Sequence, residues 1–250
     1  MEYLKNMGTR IRIMASNKKV EIFGDSVLKG IQINPQNMRY YVDNNIDINA
    51  IEKTHSLSIK NFSKFGCTIT RGFTSIEKHL IDEGVFCDAI VMDFGGNDCD
   101  FHWKEIAKRP DEEHFPKTSL DVFVDTYHKI IKLCKEKGVR PILTTLPPLD
   151  AQRFFDWFCQ GMNKANVLKW LESIETIYRW QESYSRAVEK IAAETNTLLV
   201  DVRGAFLKNF RMKRFLCLDG THPNTEGQKI ITQAFLDFIE QSKNNGDIQI

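Results

Sequence analysis

The sequence predicts an α/β fold, a three-layer α/β/α sandwich of the flavodoxin-like kind around a mostly parallel five-stranded sheet. Short apolar runs alternate with longer helical patterns along the chain. The runs are nearly continuous, as in parallel strands that are buried on both faces. A chain of 250 residues can bury one full core. We therefore expect a single domain over residues 1–250, with an N-terminal extension at 1–18 and a frayed tail at 242–250.

Each expected element has its own local pattern. The five expected strands are the apolar runs at residues 20–23, 57–62, 89–94, 141–146 and 198–202. Apolar side chains recur at helical spacing over residues 76–81, 120–137, 166–195 and 225–241. Gly138 provides a typical stop for the second of these helices. Strand followed by helix, repeated along the chain, is typical of a doubly wound fold.

Charge and cysteine content exclude several classes of protein. Lys and Arg number 34 and Asp and Glu 33, so the net charge of +1 gives no reason to expect a nucleic acid or an anionic membrane as partner. Residues 1–19 have no continuous apolar core of a signal peptide, and no stretch approaches the ~18 apolar residues of a membrane span. The six cysteines are scattered and form no CxxC pair. We expect a cytoplasmic protein and leave its oligomeric state open.

Small and polar residues follow the first two strands, at the edge where ligands bind in open α/β sheets. Gly24-Asp25-Ser26 would place a serine on a tight turn leading into a helix, whose amides can bind a developing anion. The alternative is a structural turn in which Ser26 caps the helix. Gly66 after the second strand could present an unhindered N–H group, or it could be an ordinary turn glycine.

The third strand and the C-terminal region add further polar groups. In the Gly-Gly-Asn-Asp run at residues 95–98, the Asn97 amide could donate to an oxyanion, although all four residues are also common in turns. Asp219 lies three residues before His222, which Pro223 follows. At this spacing the carboxylate can fold back onto Nδ1 and leave Nε2 facing the serine as a general base.

Taken together, these four blocks resemble the SGNH hydrolases, also called the GDSL esterase/lipase family. The resemblance extends from about residue 20 to about residue 227. It implies that Ser26 is the nucleophile and that Asp219 and His222 complete a catalytic triad. It also implies an oxyanion hole made by the N–H groups of Ser26 and Gly66 and the side chain of Asn97. The first block reads GDSV where the family name implies GDSL, and the surroundings of Gly66 match less well.

The resemblance implies a serine ester hydrolase that cleaves an acetyl or short-chain ester of a small molecule or carbohydrate through an acyl-enzyme. The alternatives are a lysophospholipase or thioesterase acting on longer chains, or a non-catalytic flavodoxin-like binding domain. No cofactor and no metal are expected, because Cys99 and His102 are too few ligands for a metal site. Asp25 and Asp98 are expected to be structural carboxylates that bind loop amides.

Two insertions and one basic run are candidates for shaping the substrate pocket. The insertions lie at residues 101–118 and 149–169, and the second contains an aromatic cluster at 153–158. These rings could line the pocket, or they could cover the core. The basic run at 203–214 could select anionic esters, or it could be a solvated loop. Its cations are Arg203, Lys208, Arg211, Lys213 and Arg214.

Overall fold

A parallel sheet of five strands forms the centre of the part of the chain that the computed structural model describes, residues 17–43, 48–84 and 86–244. Its strands are β1 (Lys18–Gly24), β4 (Leu57–Asn61), β5 (Ala89–Asp93), β6 (Arg140–Thr144) and β7 (Leu198–Val200). Their order across the sheet is β4-β1-β5-β6-β7, and every pair is parallel. This is the 2-1-3-4-5 order of flavodoxin-like folds, with its switch point at β1 and β5.

Helices cover both faces of the sheet and complete the three layers. The helices are α1 (Ile48–His55), α2 (Ile69–Glu77), α3 (Trp103–Lys108), α4 (Leu120–Glu136), α5 (Ala151–Phe158), α6 (Lys164–Leu171), α7 (Glu175–Thr195), α8 (Val202–Leu207) and α9 (Thr225–Asn244). The core on one face is built from side chains of α2, α4 and α7, and the core on the other face from α8 and α9. The predicted fold class is therefore confirmed.

The helix boundaries differ from the prediction at three places. The helix predicted at 76–81 begins at Ile69 and continues into a π-helical turn, Lys78–Asp82. The single helix predicted at 166–195 is two helices, because Glu172 adopts a φ of 60° between α6 and α7. Residues 242–244, predicted as frayed, are the end of α9, and Ser242 is buried there. The rest of the predicted tail and most of the predicted N-terminal extension lie outside the described residues.

A small β-hairpin lies apart from the central sheet and was not predicted. It pairs β2 (Ile31–Ile33) with β3 (Tyr40–Val42) in an antiparallel register. Residues 26–30 form a turn that leads directly into the hairpin, so the prediction of a helix after Ser26 is wrong. The hairpin is attached at its base, since the Ile31 N–H donates to the Ser26 carbonyl at 2.9 Å.

All six cysteines are free and buried. Within the described ranges, no helix has the length and apolar content needed to cross a membrane.

Candidate active site

Ser26 lies just after the carboxyl end of β1, where Gly24 brings the chain close against the neighbouring strand. A Cβ on Gly24 would lie 2.9 Å from the Asp93 Cβ and 3.0 Å from the Asp93 carbonyl oxygen of the neighbouring strand. The Asp25 N–H donates to that same carbonyl at 3.1 Å, which holds the turn against β5. The Ser26 side chain is nearly buried, with the residue 6% exposed.

His222 reaches Ser26 from a loop between the 3-10 helix Met212–Phe215 and α9. His222 Nε2 lies 2.8 Å from Ser26 Oγ, and Nδ1 lies 2.5 Å from Asp219 Oδ2. The other carboxylate oxygen of Asp219 accepts from the backbone N–H groups of Thr221 and His222, each at 3.1 Å. Because the buried Asp219 carboxylate accepts from Nδ1, Nε2 is left to accept the serine proton. The structure therefore brings Ser26, His222 and Asp219 into one hydrogen-bonded chain.

The loop between Asp219 and His222 depends on Gly220. Gly220 has a φ of 73°, and a Cβ there would lie 2.7 Å from the Asp150 carbonyl oxygen. That close approach brings the segment before α5 against the loop, where the Asp150 N–H donates to the Gly220 carbonyl at 2.7 Å. The backbone of Cys217 and His222 closes the other side of the loop with a 2.7 Å hydrogen bond.

The three predicted oxyanion donors come from three different loops. Asn97 Nδ2 donates to Asp25 Oδ2 at 2.9 Å, which fixes the amide next to the serine turn and leaves its second hydrogen available. Gly66 has a φ of 70°. Within the described part of the chain, the backbone N–H groups of Ser26 and Gly66 donate to no protein acceptor. Free N–H groups of this kind are what an oxyanion hole requires.

Asp98 connects the Gly66 loop to the Asn97 loop. Its carboxylate accepts from the Ile69 N–H at 2.9 and 3.2 Å, at the first residue of α2. Thr68, at the N-cap position, makes no side-chain cap of its own, so Asp98 supplies the cap from another loop. These contacts support the structural role expected for Asp98.

Three buried carboxylates lie beneath the serine turn. Burial raises the pKa of Asp98 to about 6 and that of Asp93 to about 6. Burial also raises the pKa of Asp25 well above its usual range, and the neighbouring Asp93 carboxylate raises it further. Asp93 Oδ2 has no hydrogen-bond partner within the described residues. The floor of the site therefore contains carboxylates that resist ionisation.

Sequence reasoning missed Tyr40, which the β2–β3 hairpin carries to the candidate site. The Tyr40 ring centroid lies 5.4 Å from that of His222, and its hydroxyl donates to Asp219 Oδ2 at 3.5 Å. Burial, and then the Asp219 charge, raise the pKa of Tyr40 to about 12, so the hydroxyl keeps its proton at neutral pH. Phe65, next to Gly66, lies nearly parallel to the His222 ring at 6.0 Å. No sequence spacing relates Tyr40 to His222, because only the hairpin brings them together.

The aromatic cluster at 153–158 divides between the two roles considered for it. Phe154, Phe155 and Phe158 pack into a cluster with side chains of α3 and α6, and Trp103 stacks on Phe158 at 4.0 Å. The two predicted insertions therefore pack on each other. Trp157 instead faces the candidate site, where its Nε1 donates to the Tyr40 hydroxyl at 3.0 Å.

The cations of the basic run at 203–214 lie in different environments. Arg203 is buried and donates to the Leu146 carbonyl and to Gln181 Oε1, so it belongs to the core and fits neither role considered for the basic run. Lys213 Nζ lies 3.3 Å from Asp150, the residue that bonds to Gly220. Lys208 and Arg211 are exposed.

Cys99, considered with His102 as a metal ligand, packs against the loop that follows β5. The buried Cys99 thiol donates to the Gly96 carbonyl at 3.4 Å. Within residues 17–43, 48–84 and 86–244, no three or more His, Cys, Asp or Glu side chains are grouped so that they could hold a metal ion.

A family model matches the chain over most of its length, and one relative matches a short part of it. The family model described as GDSL-like lipase/acylhydrolase matches residues 22–230. An acetylxylan esterase from Geobacillus stearothermophilus is 38% identical over 60 residues, a match that spans 23% of this chain and only 27% of that relative.

Solved structures share the fold. A catalytic mutant of an acetylxylan esterase from Geobacillus stearothermophilus superimposes with a TM-score of 0.63 and 20% identity, over 90% of this chain and 95% of that one. A lipase/acylhydrolase from Enterococcus faecalis gives a TM-score of 0.60 and 17% identity, over 91% and 96% of the two chains. At these identities the likeness concerns the fold alone.

Proposed function

The chain belongs to the GDSL-like lipase/acylhydrolase family, and on that premise we propose that it is a serine esterase of the SGNH type. We propose as its reaction the cleavage of an acetyl or other short-chain ester of a small molecule or carbohydrate. The observation that carries the proposal is the hydrogen-bonded chain from Ser26 through His222 to Asp219. The same three residue types in the same geometry activate serine nucleophiles on unrelated folds.

The reaction follows from the positions of these atoms. Ser26 Oγ attacks the ester carbonyl carbon while His222 Nε2 takes its proton, and the buried Asp219 carboxylate stabilises the imidazolium that forms. The carbonyl oxygen becomes an oxyanion, for which the N–H groups of Ser26 and Gly66 and the Asn97 amide are the donors. His222 then gives its proton to the leaving alcohol oxygen, and the acyl group remains on Ser26.

A water molecule completes the cycle. His222 Nε2 takes a proton from the water, whose oxygen attacks the acyl-enzyme carbonyl carbon. The second tetrahedral intermediate uses the same oxyanion donors, and its collapse returns the proton to Ser26 Oγ and releases the acid. Every proton in this scheme passes through Nε2, so no cofactor is required.

Two observations support a short acyl group. Ser26 and His222 are only 6% and 8% exposed, so little of the proposed nucleophile and base is open to solvent. The partial sequence match is to an acetylxylan esterase, which supports an acetylated carbohydrate as substrate. The cytoplasmic location stays a prediction.

Hydrolysis of p-nitrophenyl acetate, butyrate, octanoate and palmitate tests the proposal. We expect kcat/KM to fall with chain length and Ser26→Ala to abolish turnover. Ser63→Ala is the matched control, because Ser63 is also buried but its hydroxyl has no partner within the described residues.

The other outcomes favour the alternatives. Highest activity on octanoate or palmitate would favour a lysophospholipase or thioesterase. Turnover by Ser26→Ala equal to that of the wild type would reject the proposed nucleophile. A wild-type protein with no activity on any ester would favour a non-catalytic binding domain.

A further inference from the structure

Two half-exposed aromatic rings flank His222 at the mouth of the candidate site. Tyr40 is 42% exposed and Phe65 is 51% exposed. Tyr40 packs edge-on to the His222 ring, while Phe65 lies within 12° of parallel to it. The two rings also contact each other, with centroids 5.2 Å apart. Together they form an aromatic pair that exposes apolar surface to solvent beside the proposed base.

The aromatic pair is held in place although it is exposed. The Tyr40 hydroxyl accepts a 3.0 Å hydrogen bond from Trp157 on α5. The hairpin that carries Tyr40 is fixed at Asp43, whose Oδ2 accepts from Gln32 Nε2 at 2.6 Å and from Thr225 Oγ1 at 3.0 Å. Thr225 begins α9, just after the His222 loop. A surface that is already ordered loses little conformational entropy when it binds a ligand.

The position of the aromatic pair identifies the part of the substrate that reaches it. In the proposed reaction His222 Nε2 protonates the leaving alcohol oxygen, so that oxygen must lie within hydrogen-bond distance of Nε2. The rest of the alcohol extends from this oxygen, and Tyr40 and Phe65 are the rings that contact His222 from the hairpin and from the Gly66 loop. The acyl group, bound to the carbonyl carbon at Ser26, lies on the other side of the ester bond.

We propose that Tyr40 and Phe65 form the subsite for the alcohol half of the ester, and that this subsite selects a cyclic alcohol such as a sugar ring. An aromatic face offers a large, rigid, flat contact surface, which a ring covers more completely than a flexible chain does. A ring also has fewer rotatable bonds to immobilise on binding. The inference rests on the proposed function and adds to it the residues that bind the alcohol and the ring shape that they select.

The test compares two acetates that differ only in the shape of the alcohol. Cyclohexyl acetate and hexan-3-yl acetate are both acetates of secondary alcohols with six carbons, one cyclic and one open-chain. We expect the wild type to prefer cyclohexyl acetate, and Phe65→Ala to lower the ratio of the two kcat/KM values about fivefold, the size of one aromatic contact. Phe115→Ala is the control, since Phe115 is 66% exposed but makes no ring contact with His222.

Two further measurements separate ring contact from other effects. Tyr40→Phe keeps the ring and should keep the wild-type ratio, whereas Tyr40→Ala should lower it. An acetylated methyl pyranoside should lose activity in Phe65→Ala by the same factor as cyclohexyl acetate.

Equal losses on both acetates in Phe65→Ala would overturn the inference, because a disturbed Gly66 N–H would weaken both reactions alike. An unchanged ratio, or a pyranoside ester unaffected by Phe65→Ala, would overturn it too. In each of these cases the wild type still hydrolyses hexan-3-yl acetate, so the proposed function stands. Failure of the wild type on every ester would instead reject the function and the subsite together.

Discussion

Replacing Asp93 by Asn should stabilise the protein above pH 6 and leave it nearly unchanged at pH 4. Asp93 ends β5 directly beneath the serine turn and is 3% exposed. One carboxylate oxygen accepts from Thr144 Oγ1 at 3.1 Å, and the other has no partner within the described part of the chain. Burial therefore penalises the charged form, and it raises the pKa of Asp93 from 3.8 to about 6.

The sign and size of the effect of Asp93→Asn on the free energy of unfolding follow from this change in pKa. A pKa that is higher in the folded state means that the folded protein holds its proton more tightly than the unfolded chain does. The contribution of the neutral Asp93 carboxyl to the free energy of unfolding is therefore fully present below pH 3.8 and is lost as the pH rises through about 6. Raising a pKa from 3.8 to about 6 corresponds to about 3 kcal/mol at a pH above both values. For a chain of this length that is about 6–12 °C in Tm.

The assay is thermal unfolding of wild type and Asp93→Asn between pH 4 and pH 8. We expect the two Tm values to converge at pH 4, the excess of the variant to grow between about pH 4 and pH 6, and the difference to stay constant above that range. Asp125→Asn, at an exposed aspartate on α4, is the control and should show no such divergence. A Tm difference that does not change with pH, or a variant less stable at pH 8, would show that burial of a charge at Asp93 is not the cause.

Three further predictions concern single side chains. Asn97→Ala should lower kcat on p-nitrophenyl acetate about 10²–10³-fold through loss of an oxyanion donor, and a loss under threefold would count against that role. Gly72→Ala should destabilise the protein by about 1–3 kcal/mol in urea unfolding, because the new Cβ would lie 2.2 Å from Phe94 Cζ; unchanged stability would mean that Phe94 can move aside. Tyr40→Phe should lower kcat on p-nitrophenyl acetate about two- to tenfold, because it removes the hydroxyl that donates a hydrogen bond to Asp219. An unchanged kcat would show that this hydrogen bond does not contribute to catalysis.

The central sheet could be predicted because its strands are buried on both faces and are therefore continuously apolar. The β2–β3 hairpin could not. Each of its strands has three residues, and Tyr40, Tyr41 and Val42 are all exposed, so no alternation of apolar and polar residues marks them. The division of the helix at 166–195 was hidden for a similar reason, because Glu172 adopts a positive φ and glutamate is not a typical helix breaker.

The candidate site, like the fold, could be predicted from the sequence only in part. Ser26, Asn97 and His222 could be located because each follows a recognisable strand or precedes a helix, at the edge where the carboxyl ends of parallel strands meet. The contacts of Tyr40 and Phe65 with His222 depend on two loops that meet only in the folded chain. The polar groups were thus predictable, and the aromatic surface around them was not.

Covalent labelling with a fluorophosphonate probe, followed by mass spectrometry of the labelled peptide, tests the central claim most directly. We predict one label per chain on Ser26, no label in Ser26→Ala, and strongly slowed labelling in His222→Ala, because the serine then has no base 2.8 Å from its Oγ. A label on any other residue, or labelling of His222→Ala at the wild-type rate, would contradict the assignment of Ser26 and His222 as nucleophile and base.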